Sequence, residues 1–272
     1  MKKKYIFKSR YPVGRFFFWF FAFILSTVLV GCYKPVEEAV IISSVPVGFD
    51  TLKTRYYVGG FSVENRPLEY WVLGEGRDVI FIMASIHGNE QAGTPLVKML
   101  AEHLKQNPRL MDGRSVVLLP VANPDGVYRN NRYNVRGVDL NRNFAANNRS
   151  SNSESGYTAL SEPEALVIAR LIRRYQPDRI ISIHQPLSCV DYDGPGEALA
   201  SRMAEYCNLP VRKLGAQCGS LGSYAGVNLG IPIITLELPG PKGMTEIDGK
   251  TVWNNYGKAL VAAIVYPERI AK

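Results

Sequence analysis

The sequence predicts a single α/β domain with a mixed, mostly parallel central sheet and helices on both of its faces. Short apolar runs typical of buried strands, such as 79–84 and 179–184, alternate with longer segments that carry apolar residues at helical spacing. This alternation favours parallel strands that are connected by covering helices. The chain has 272 residues, 46% of them hydrophobic, which is enough for one large core.

The first 31 residues are predicted to be a lipoprotein signal peptide. A basic stretch precedes the apolar run 16–30, which is shorter than the roughly 20 residues that cross a bilayer. The run ends in Leu29-Val30-Gly31-Cys32, which resembles a bacterial lipobox and marks Cys32 for lipidation. An uncleaved signal anchor is the alternative interpretation.

Residues 32–58 are predicted to form a lipidated tether, followed by a globular domain at 59–272. The segment 33–55 mixes Pro, Ser and Val without a helical period. Acyl chains on Cys32, at about 0.8 kcal/mol per buried methylene, would hold the protein on a membrane. Tyr33 stands where an inner-membrane retention signal usually has Asp. We therefore expect an exported bacterial lipoprotein on the periplasmic face of the outer membrane.

The distribution of charge argues against a nucleic-acid partner. The formal net charge is +8, but six basic residues of the leader precede any acidic residue, so the remainder carries only +2. Beyond the leader, the basic residues form no stripe apart from four arginines between 129 and 142. We interpret those arginines as part of an active site, and we expect no nucleic-acid binding.

The first half of the domain is predicted to contain a hairpin, a helix and two buried strands. Residues 61–73 alternate around a turn at 64–67, which is typical of a β-hairpin. The strand at 79–84 is followed by a helix at 91–106 and by a second strand at 115–120.

A long polar stretch, 123–160, follows with little periodicity, and loops of this length in compact domains are usually functional. Ser161 and Glu164 then predict a capping box for a helix that ends near Tyr175. The remaining predicted elements alternate strand and helix, at 179–184, 196–207, 231–238 and 251–265.

Two of the three histidines are candidate metal ligands. His87 and Glu90 directly follow the strand at 79–84, and His184 ends the strand at 179–184. His103 lies on a charged helix face and is interpreted as solvated. Because the carboxyl ends of parallel strands form ligand sites, His87, Glu90 and His184 are predicted to bind one zinc ion. Two imidazoles and one carboxylate leave a fourth position for water, as in catalytic zinc sites.

Glu237 is the one charged residue in the apolar strand 233–238. A carboxylate at the end of such a strand is seldom buried without a function. The alternative is a core ion pair.

Five motifs occur in the order found in zinc metallocarboxypeptidases of the carboxypeptidase A-like, or funnelin, family. They are His87-Gly88-Asn89-Glu90, Asn123-Pro124-Asp125-Gly126, Gly137-Val138-Asp139-Leu140-Asn141-Arg142-Asn143-Phe144, Ile183-His184 and Thr235-Leu236-Glu237-Leu238. The resemblance covers about residues 60–265. Arg132-Tyr133-Asn134 and His184-Gln185-Pro186 resemble the murein peptide amidase branch, whose members cut the bond between γ-D-glutamate and meso-diaminopimelate.

This resemblance implies a role for each matching residue. His87, Glu90 and His184 match the zinc ligands, and Glu237 matches the catalytic glutamate that moves the proton. Arg132 matches the arginine that stabilises the oxyanion. Asn141 and Arg142 match the pair that grips the terminal carboxylate of the substrate. Asp139 matches the carboxylate that orients the first zinc histidine. Taken singly, the arginines also allow a surface-charge interpretation.

The sequence departs from the digestive members of the family, which carry a mobile tyrosine shortly before a Gly-Ser pair. Here the pair is Gly219-Ser220, and residues 208–218 contain no tyrosine; Tyr224 is not equated with it. Asp191, Asp193 and Leu221-Gly222 are candidate walls of the pocket for the substrate side chain.

Three cysteines remain in the globular part. Cys189, Cys207 and Cys218 allow one disulfide and a free thiol, for which the separation favours Cys207 with Cys218, or three buried apolar thiols.

The leading hypothesis is therefore a membrane-tethered, monomeric zinc carboxypeptidase acting on peptidoglycan stem peptides, with a catalytic domain at 59–272. The alternatives are a zinc carboxypeptidase on ordinary peptides, an N-acyl amino acid deacylase, and, in another class, a non-catalytic wall-binding lipoprotein.

Overall fold

A computed structural model describes residues 52–240 and 248–267 of the chain. The predicted signal peptide and the lipidation site at Cys32 lie outside these residues. Within them, no helix combines the length and the apolar character needed to cross a membrane.

The described residues form one eight-stranded sheet. Its strands, β1 to β8 in chain order, are Thr54–Phe61, Pro67–Gly74, Asp78–Ala84, Arg114–Leu119, Arg179–His184, Leu187–Asp193, Val211–Arg212 and Ile233–Pro239. Their order in the sheet is β1-β2-β4-β3-β5-β8-β6-β7. Four of the seven neighbouring pairs are parallel, namely β3–β4, β3–β5, β5–β8 and β6–β7, which confirms the mixed, mostly parallel sheet.

A hairpin is present as the antiparallel pair β1–β2, but of the predicted range 61–73 only the turn and β2 agree, because β1 lies almost entirely ahead of it. β1 begins at Thr54, ahead of the boundary at 59 that the sequence predicted. The turn is fixed from outside the hairpin, because the buried carboxylate of Asp125 accepts hydrogen bonds from Ser62 Oγ (2.7 Å) and from the Glu64 amide (2.9 Å).

Helices cover both faces of the sheet, as predicted, and consecutive residues of β3 alternate between two cores. The helices are α1 Gly93–Gln106, α2 Pro124–Arg129, α3 Pro163–Tyr175, α4 Glu197–Ala204 and α5 Gly249–Val265. Ile80 and Ile82 belong to a core shared with α1, α4 and α5, whereas Phe81 and Met83 belong to a core shared with α3.

The predicted capping box at the start of α3 is wrong. Glu162 occupies the N-cap position, and its side chain makes no capping hydrogen bond. Glu164 instead accepts from the Val63 amide (3.3 Å) and from Asn134 Nδ2 (3.4 Å). Tertiary partners have therefore replaced the local capping bond. Burial penalises the ionised carboxylate and raises the pKa of Glu164, because the hydrogen bonds from these donors offset only part of that penalty.

The sequence did not predict α2, β6 or the π-helix Gly222–Asn228. β6 mixes Cys, Asp and Tyr, and it follows β5 after two residues, so no turn signal of its own separated the two strands. It pairs antiparallel with β8 and carries two carboxylates to the site described below.

An ion pair between the first residues of β3 and β5 holds α5 in place. The guanidinium of Arg179 binds the carboxylate of Asp78 through both terminal nitrogens, at 2.6 and 2.9 Å. It also donates to the carbonyls of Ala263 (2.7 Å) and Ile264 (2.8 Å) in the last turn of α5. These carbonyls have no intrahelical partner, so the arginine satisfies them.

Candidate active site

The candidate site lies where three neighbouring parallel strands end. β3 lies beside β5, and β5 lies beside β8, where His184 and Glu237 are direct partners in the register. Neighbouring strands are only about 4.8 Å apart. The sheet therefore brings the ends of segments that are far apart in sequence to one edge.

His87, Glu90 and His184 converge there with the geometry of a metal site. One ligand atom from each of the three residues lies within 4.8 Å of the other two. Glu90 Oε1 is 2.8 Å from His87 Nδ1, and Glu90 Oε2 is 2.9 Å from His184 Nδ1. All three side chains are buried. Two imidazoles and a carboxylate with ligand atoms this close fit a single zinc ion and leave a coordination position for water.

The charges around this set also favour a cation. Burial opposes the ionised form of Glu90, but hydrogen bonds with His184 and His87 outweigh it and hold the pKa of Glu90 well below its usual range. Burial likewise lowers the pKa of His87, but Asp139 and Glu90 more than compensate, so the pKa is raised. Anionic oxygens thus surround ring nitrogens that a metal ion would deprotonate and bind.

Asp139 and Arg132 support the first histidine. Asp139 Oδ1 is 3.1 Å from His87 Nε2, which leaves Nδ1 directed at Glu90. Arg132 donates to Asp139 Oδ2 at 2.9 and 3.2 Å and to Glu90 Oε1 at 3.2 Å. The structure therefore places the predicted orienting carboxylate against the predicted ligand, and the predicted oxyanion donor beside the metal site.

The loop that carries Arg132 and Asp139 is held by Asn134. Its Oδ1 accepts from the amides of Arg136 (3.0 Å) and Val138 (3.1 Å), and its Nδ2 donates to Glu162 at 2.7 Å. Asn134 is almost completely buried. The polar stretch 123–160 is thus an ordered part of the site, which explains its low periodicity.

Asn141 and Arg142 lie on the next turn of the same loop and line the cavity of the site. The Asn141 Oδ1 accepts from the Leu221 amide (2.9 Å), and Arg142 Nη1 donates to the Asn141 carbonyl (2.7 Å). Gly219, with φ +66°, packs against the Arg142 carbonyl where a Cβ would lie only 2.2 Å away. Only glycine accommodates this conformation and close approach together.

Glu237 is buried beside the metal site, 7% exposed, and its Oε2 accepts from the Leu187 amide at 3.3 Å. Burial raises the pKa of Glu237, although the nearby His184 and the Leu187 amide oppose the rise. A carboxylate with a raised pKa is the stronger base, which suits a group that must take and return a proton.

Gln185 joins three segments of the site, a role that the sequence analysis did not assign. Its Oε1 accepts from the Ala92 amide (3.1 Å), and its Nε2 donates to the Pro239 carbonyl (2.9 Å). Its own amide donates to Glu90 Oε2 (3.2 Å). Gln185 lies just beyond the end of β5, where the backbone hydrogen bonds between β5 and its neighbours stop. Its bonds therefore hold Glu90 in a fixed position relative to β8, which carries Glu237.

A cavity of about 450 Å³ opens at the metal site and follows the sheet face inward. Its polar and charged lining residues are His87, Glu90, Arg132, Asn141, Arg142, Ser182, His184, Gln185, Asp191, Asp193, Gln217, Ser220, Thr235 and Glu237. Ser182 and Thr235 were missed in the sequence analysis. Each stands two residues before a predicted site residue in a strand, and this spacing places both members of each pair on one face.

Two buried carboxylates on β6 also line this cavity. Asp191 and Asp193 are each 6% exposed, and Asp191 Oδ1 accepts from the Leu214 amide at 2.8 Å. Burial, together with the charge of Asp191, raises the pKa of Asp193 to about 6. Gly222 packs so closely that a Cβ there would lie 2.0 Å from Asp193 Oδ2. The predicted pocket walls Asp191, Asp193 and Leu221-Gly222 thus line one cavity.

No tyrosine lines the cavity among residues 52–240 and 248–267. Tyr224 stacks on Phe144 within the fold, with the ring centroids 5.8 Å apart. The suggested disulfide is absent: Cys189 and Cys207 are buried free thiols, and Cys218 is an exposed one.

Comparison with known proteins agrees with this geometry. The profile of the zinc carboxypeptidase family matches residues 52–192, which include all three candidate ligands and the loop residues above. The chain belongs to the zinc carboxypeptidase family. Its members are zinc-dependent hydrolases, so the buried His87, Glu90 and His184 set is a site at which this enzyme would hold zinc.

Among curated proteins, this zinc carboxypeptidase is 34% identical to murein peptide amidase A of Escherichia coli K12 over an alignment of 205 residues that covers 68% of this chain and 81% of the relative. It is 30% identical to murein peptide amidase A of Vibrio campbellii over 76% of this chain and 89% of the relative.

Among solved structures, murein-tripeptide amidase MpaA of Escherichia coli O157 matches with a TM-score of 0.62 and 26% identity, covering 85% of this chain and 95% of the other. Carboxypeptidase A of Helicoverpa armigera matches with a TM-score of 0.65 and 23% identity, covering 80% and 70%. The second likeness shows the shared zinc carboxypeptidase fold.

Proposed function

We propose that this enzyme is a zinc carboxypeptidase that hydrolyses the γ-D-glutamyl–meso-diaminopimelate bond of peptidoglycan stem peptides. The observation that carries the proposal is the charge pattern of the cavity. Arg142 lines the same cavity as the metal ligands, and the buried Asp191 and Asp193 line it beside Thr235 and Ile233, two and four residues before Glu237 on β8. An amino acid with a free carboxylate and a side chain that ends in an ammonium group complements both the arginine and the two aspartates. The similarity to murein peptide amidase A supports this choice of substrate.

Binding begins with the terminal carboxylate of the substrate. The guanidinium fork of Arg142 can bind both carboxylate oxygens, and the Asn141 amide can donate alongside it. This grip positions the last peptide bond beside His184 and Glu237, and it directs the side chain toward Asp193. The enzyme therefore releases the last residue of the chain.

Zinc bound by His87, Glu90 and His184 would lower the pKa of water and polarise the scissile carbonyl. Glu237 takes a proton from the attacking water as the water oxygen bonds to the carbonyl carbon. Arg132 donates hydrogen bonds to the oxygen on which negative charge develops. Glu237 then gives its proton to the nitrogen of diaminopimelate as the carbon–nitrogen bond breaks. Water is thus divided between the new carboxylate and the released amine.

We further propose that the enzyme binds one zinc ion, acts as a monomer and is anchored through Cys32 on the periplasmic face of the outer membrane. β1 begins at the edge of the sheet where β3 and β4 also begin, opposite the edge that carries the metal ligands. Thr54, the first residue of β1, thus lies on the side of the domain away from the metal ligands. An exported location would bring the enzyme to its murein substrate.

A substrate comparison tests the proposed function. The zinc-loaded protein is incubated with L-alanyl-γ-D-glutamyl-meso-diaminopimelate and, separately, with a hippuryl peptide, and the products are identified by mass spectrometry. We expect free diaminopimelate from the first, none after chelation, and almost none from a Glu237→Gln variant. Release from the hippuryl peptide alone would reject the murein substrate in favour of ordinary peptides or N-acyl amino acids. No release from either would favour a non-catalytic wall-binding protein.

A further inference from the structure

Ser182 is an anomaly in the wall of the cavity. It is 2% exposed, and its Oγ has no hydrogen-bond partner within the described part of the chain. Buried hydroxyl groups are almost always paired, because an unpaired one has lost its bonds to water without replacement. Ser182 also lines the cavity, so a ligand that enters the cavity can supply the missing partner.

The register shows what surrounds this hydroxyl. Ser182 on β5 pairs with Thr235 on β8, which in turn pairs with Asp191 on β6. These three side chains form one polar row across the sheet, two residues farther in than His184 and Glu237. Paired residues of neighbouring strands share a face, so a ligand that extends past the metal site meets this row next.

The next row inward ends in Asp193, which pairs with Ile233. The inner part of the cavity therefore offers carboxylates that accept hydrogen bonds and a hydroxyl that is free to donate one. A ligand group that carries only an ammonium can use the carboxylates, but it does not need the donor. A group that carries an ammonium and a carboxylate on the same carbon uses both.

We propose that Ser182 is a specificity-determining residue whose hydroxyl donates to the side-chain carboxylate of diaminopimelate, while Asp193 binds the adjacent ammonium. The inference rests on the proposed function and deepens it. Lys213, whose charge acts on both Asp191 and Asp193, offsets part of the repulsion between these aspartates and the incoming carboxylate. Lysine, which lacks this carboxylate, leaves Ser182 unpaired and is therefore the poorer substrate.

The test compares kcat/KM for three tripeptides that differ only in the last residue: meso-diaminopimelate, its side-chain amide, and L-lysine. In wild-type enzyme we expect diaminopimelate to be preferred over each of the other two. In Ser182→Ala we expect kcat/KM for diaminopimelate to fall about 10- to 100-fold and the values for the other two to change less than about twofold. Ser201→Ala on the exposed face of α4 is the matched control and should change none of them.

The non-additivity of the two changes separates direct contact from a structural effect. Amidation of the substrate and removal of the hydroxyl should each weaken the same interaction, so amidation should cost little more once Ser182 is alanine. Equal losses on all three peptides, or an unchanged preference, would overturn the inference. If Ser182→Ala does not fold, the wild-type enzyme still tests the inference. Equal kcat/KM values for the diaminopimelate peptide and its side-chain amide would overturn it.

Failure of the proposed function gives a different result. If wild-type enzyme hydrolyses a hippuryl peptide but releases nothing from the three tripeptides, the murein function and this inference both fail. If it releases diaminopimelate but does not distinguish it from its amide, the function stands and only the role of Ser182 is rejected.

Discussion

Replacing Asp193 with asparagine should stabilise the protein at neutral pH. The Asp193 carboxylate is buried, and this burial is the main cause that raises its pKa from 3.8 to about 6. A carboxyl whose pKa is raised on folding is penalised whenever it is ionised. The asparagine side chain has nearly the same shape but no charge, so the Asp193→Asn substitution removes the penalty.

The magnitude follows from linkage. A rise from 3.8 to about 6 is about 2 pKa units, which corresponds to about 3 kcal/mol at 1.36 kcal/mol per unit. Below pH 3.8 the carboxyl is neutral in both the folded and the unfolded protein, so the variant gains nothing. The gain grows as pH rises, reaches about half its full value near pH 5, and is complete above the folded pKa of about 6.

Urea unfolding of both proteins without metal, from pH 4 to pH 8, measures this gain, and omitting zinc removes any linkage to metal binding. At pH 7 the free energy of unfolding of the variant should exceed that of the wild type by about 3 kcal/mol, whereas at pH 4 the difference should be small, so pH 4 serves as the control. Equal stabilisation at pH 4 and pH 7 would exclude ionisation as the cause. Destabilisation at pH 7 would show that the folded protein favours the charged form. The variant should also raise KM for diaminopimelate peptides.

Four further predictions concern the site and its support. Glu237→Gln should lower kcat by about 10²- to 10⁴-fold with zinc content unchanged, because the proton acceptor is lost; loss of zinc from the variant would instead make Glu237 a ligand. Asp139→Asn should weaken zinc affinity about 10- to 100-fold in a competition titration with a chelator, and unchanged affinity would exclude it as the group that orients the histidine. Gln185→Met should lower kcat about 10- to 100-fold and leave KM and zinc affinity unchanged, because it alters only the spacing between the metal ligands and Glu237. A rise in KM with unchanged kcat would contradict this. Arg179→Leu should destabilise the protein by about 3–5 kcal/mol in urea unfolding because Asp78 loses its bidentate partner, and the double variant with Asp78→Leu should recover part of the loss.

The sequence was informative wherever a local pattern decides the structure. An apolar strand followed by His87 and Glu90, and another that ends in His184, placed three polar side chains at strand ends, and parallel strands bring such ends together. The motif around Asp139 and Asn141 then indicated the loop that supports the metal site. The main strands and helices were predicted within a few residues for the same reason, because their periodicity is local.

Other features depend on contacts between distant segments. The capping box at Glu164 failed because Asn134 and the Val63 amide, both far away in sequence, compete for the same carboxylate. β6 was missed because only two residues separate it from β5, and because its buried polar residues Asp191 and Asp193 face a cavity that only the fold creates, while Val190 and Tyr192 join the core. Gln185 has no signal of its own, since the two partners of its side chain, Ala92 before α1 and Pro239 at the end of β8, come within reach only in the folded sheet.

The sequence alone thus determined the order of the elements, the kinds of side chain at the strand ends and the family to which they point. Tertiary structure alone decided which hydroxyl and which carboxylates share the inner cavity, because Ser182, Thr235 and Asp191 become neighbours only through the register of three strands. Register depends on pairing between segments far apart in the chain. No single stretch of sequence contains that information.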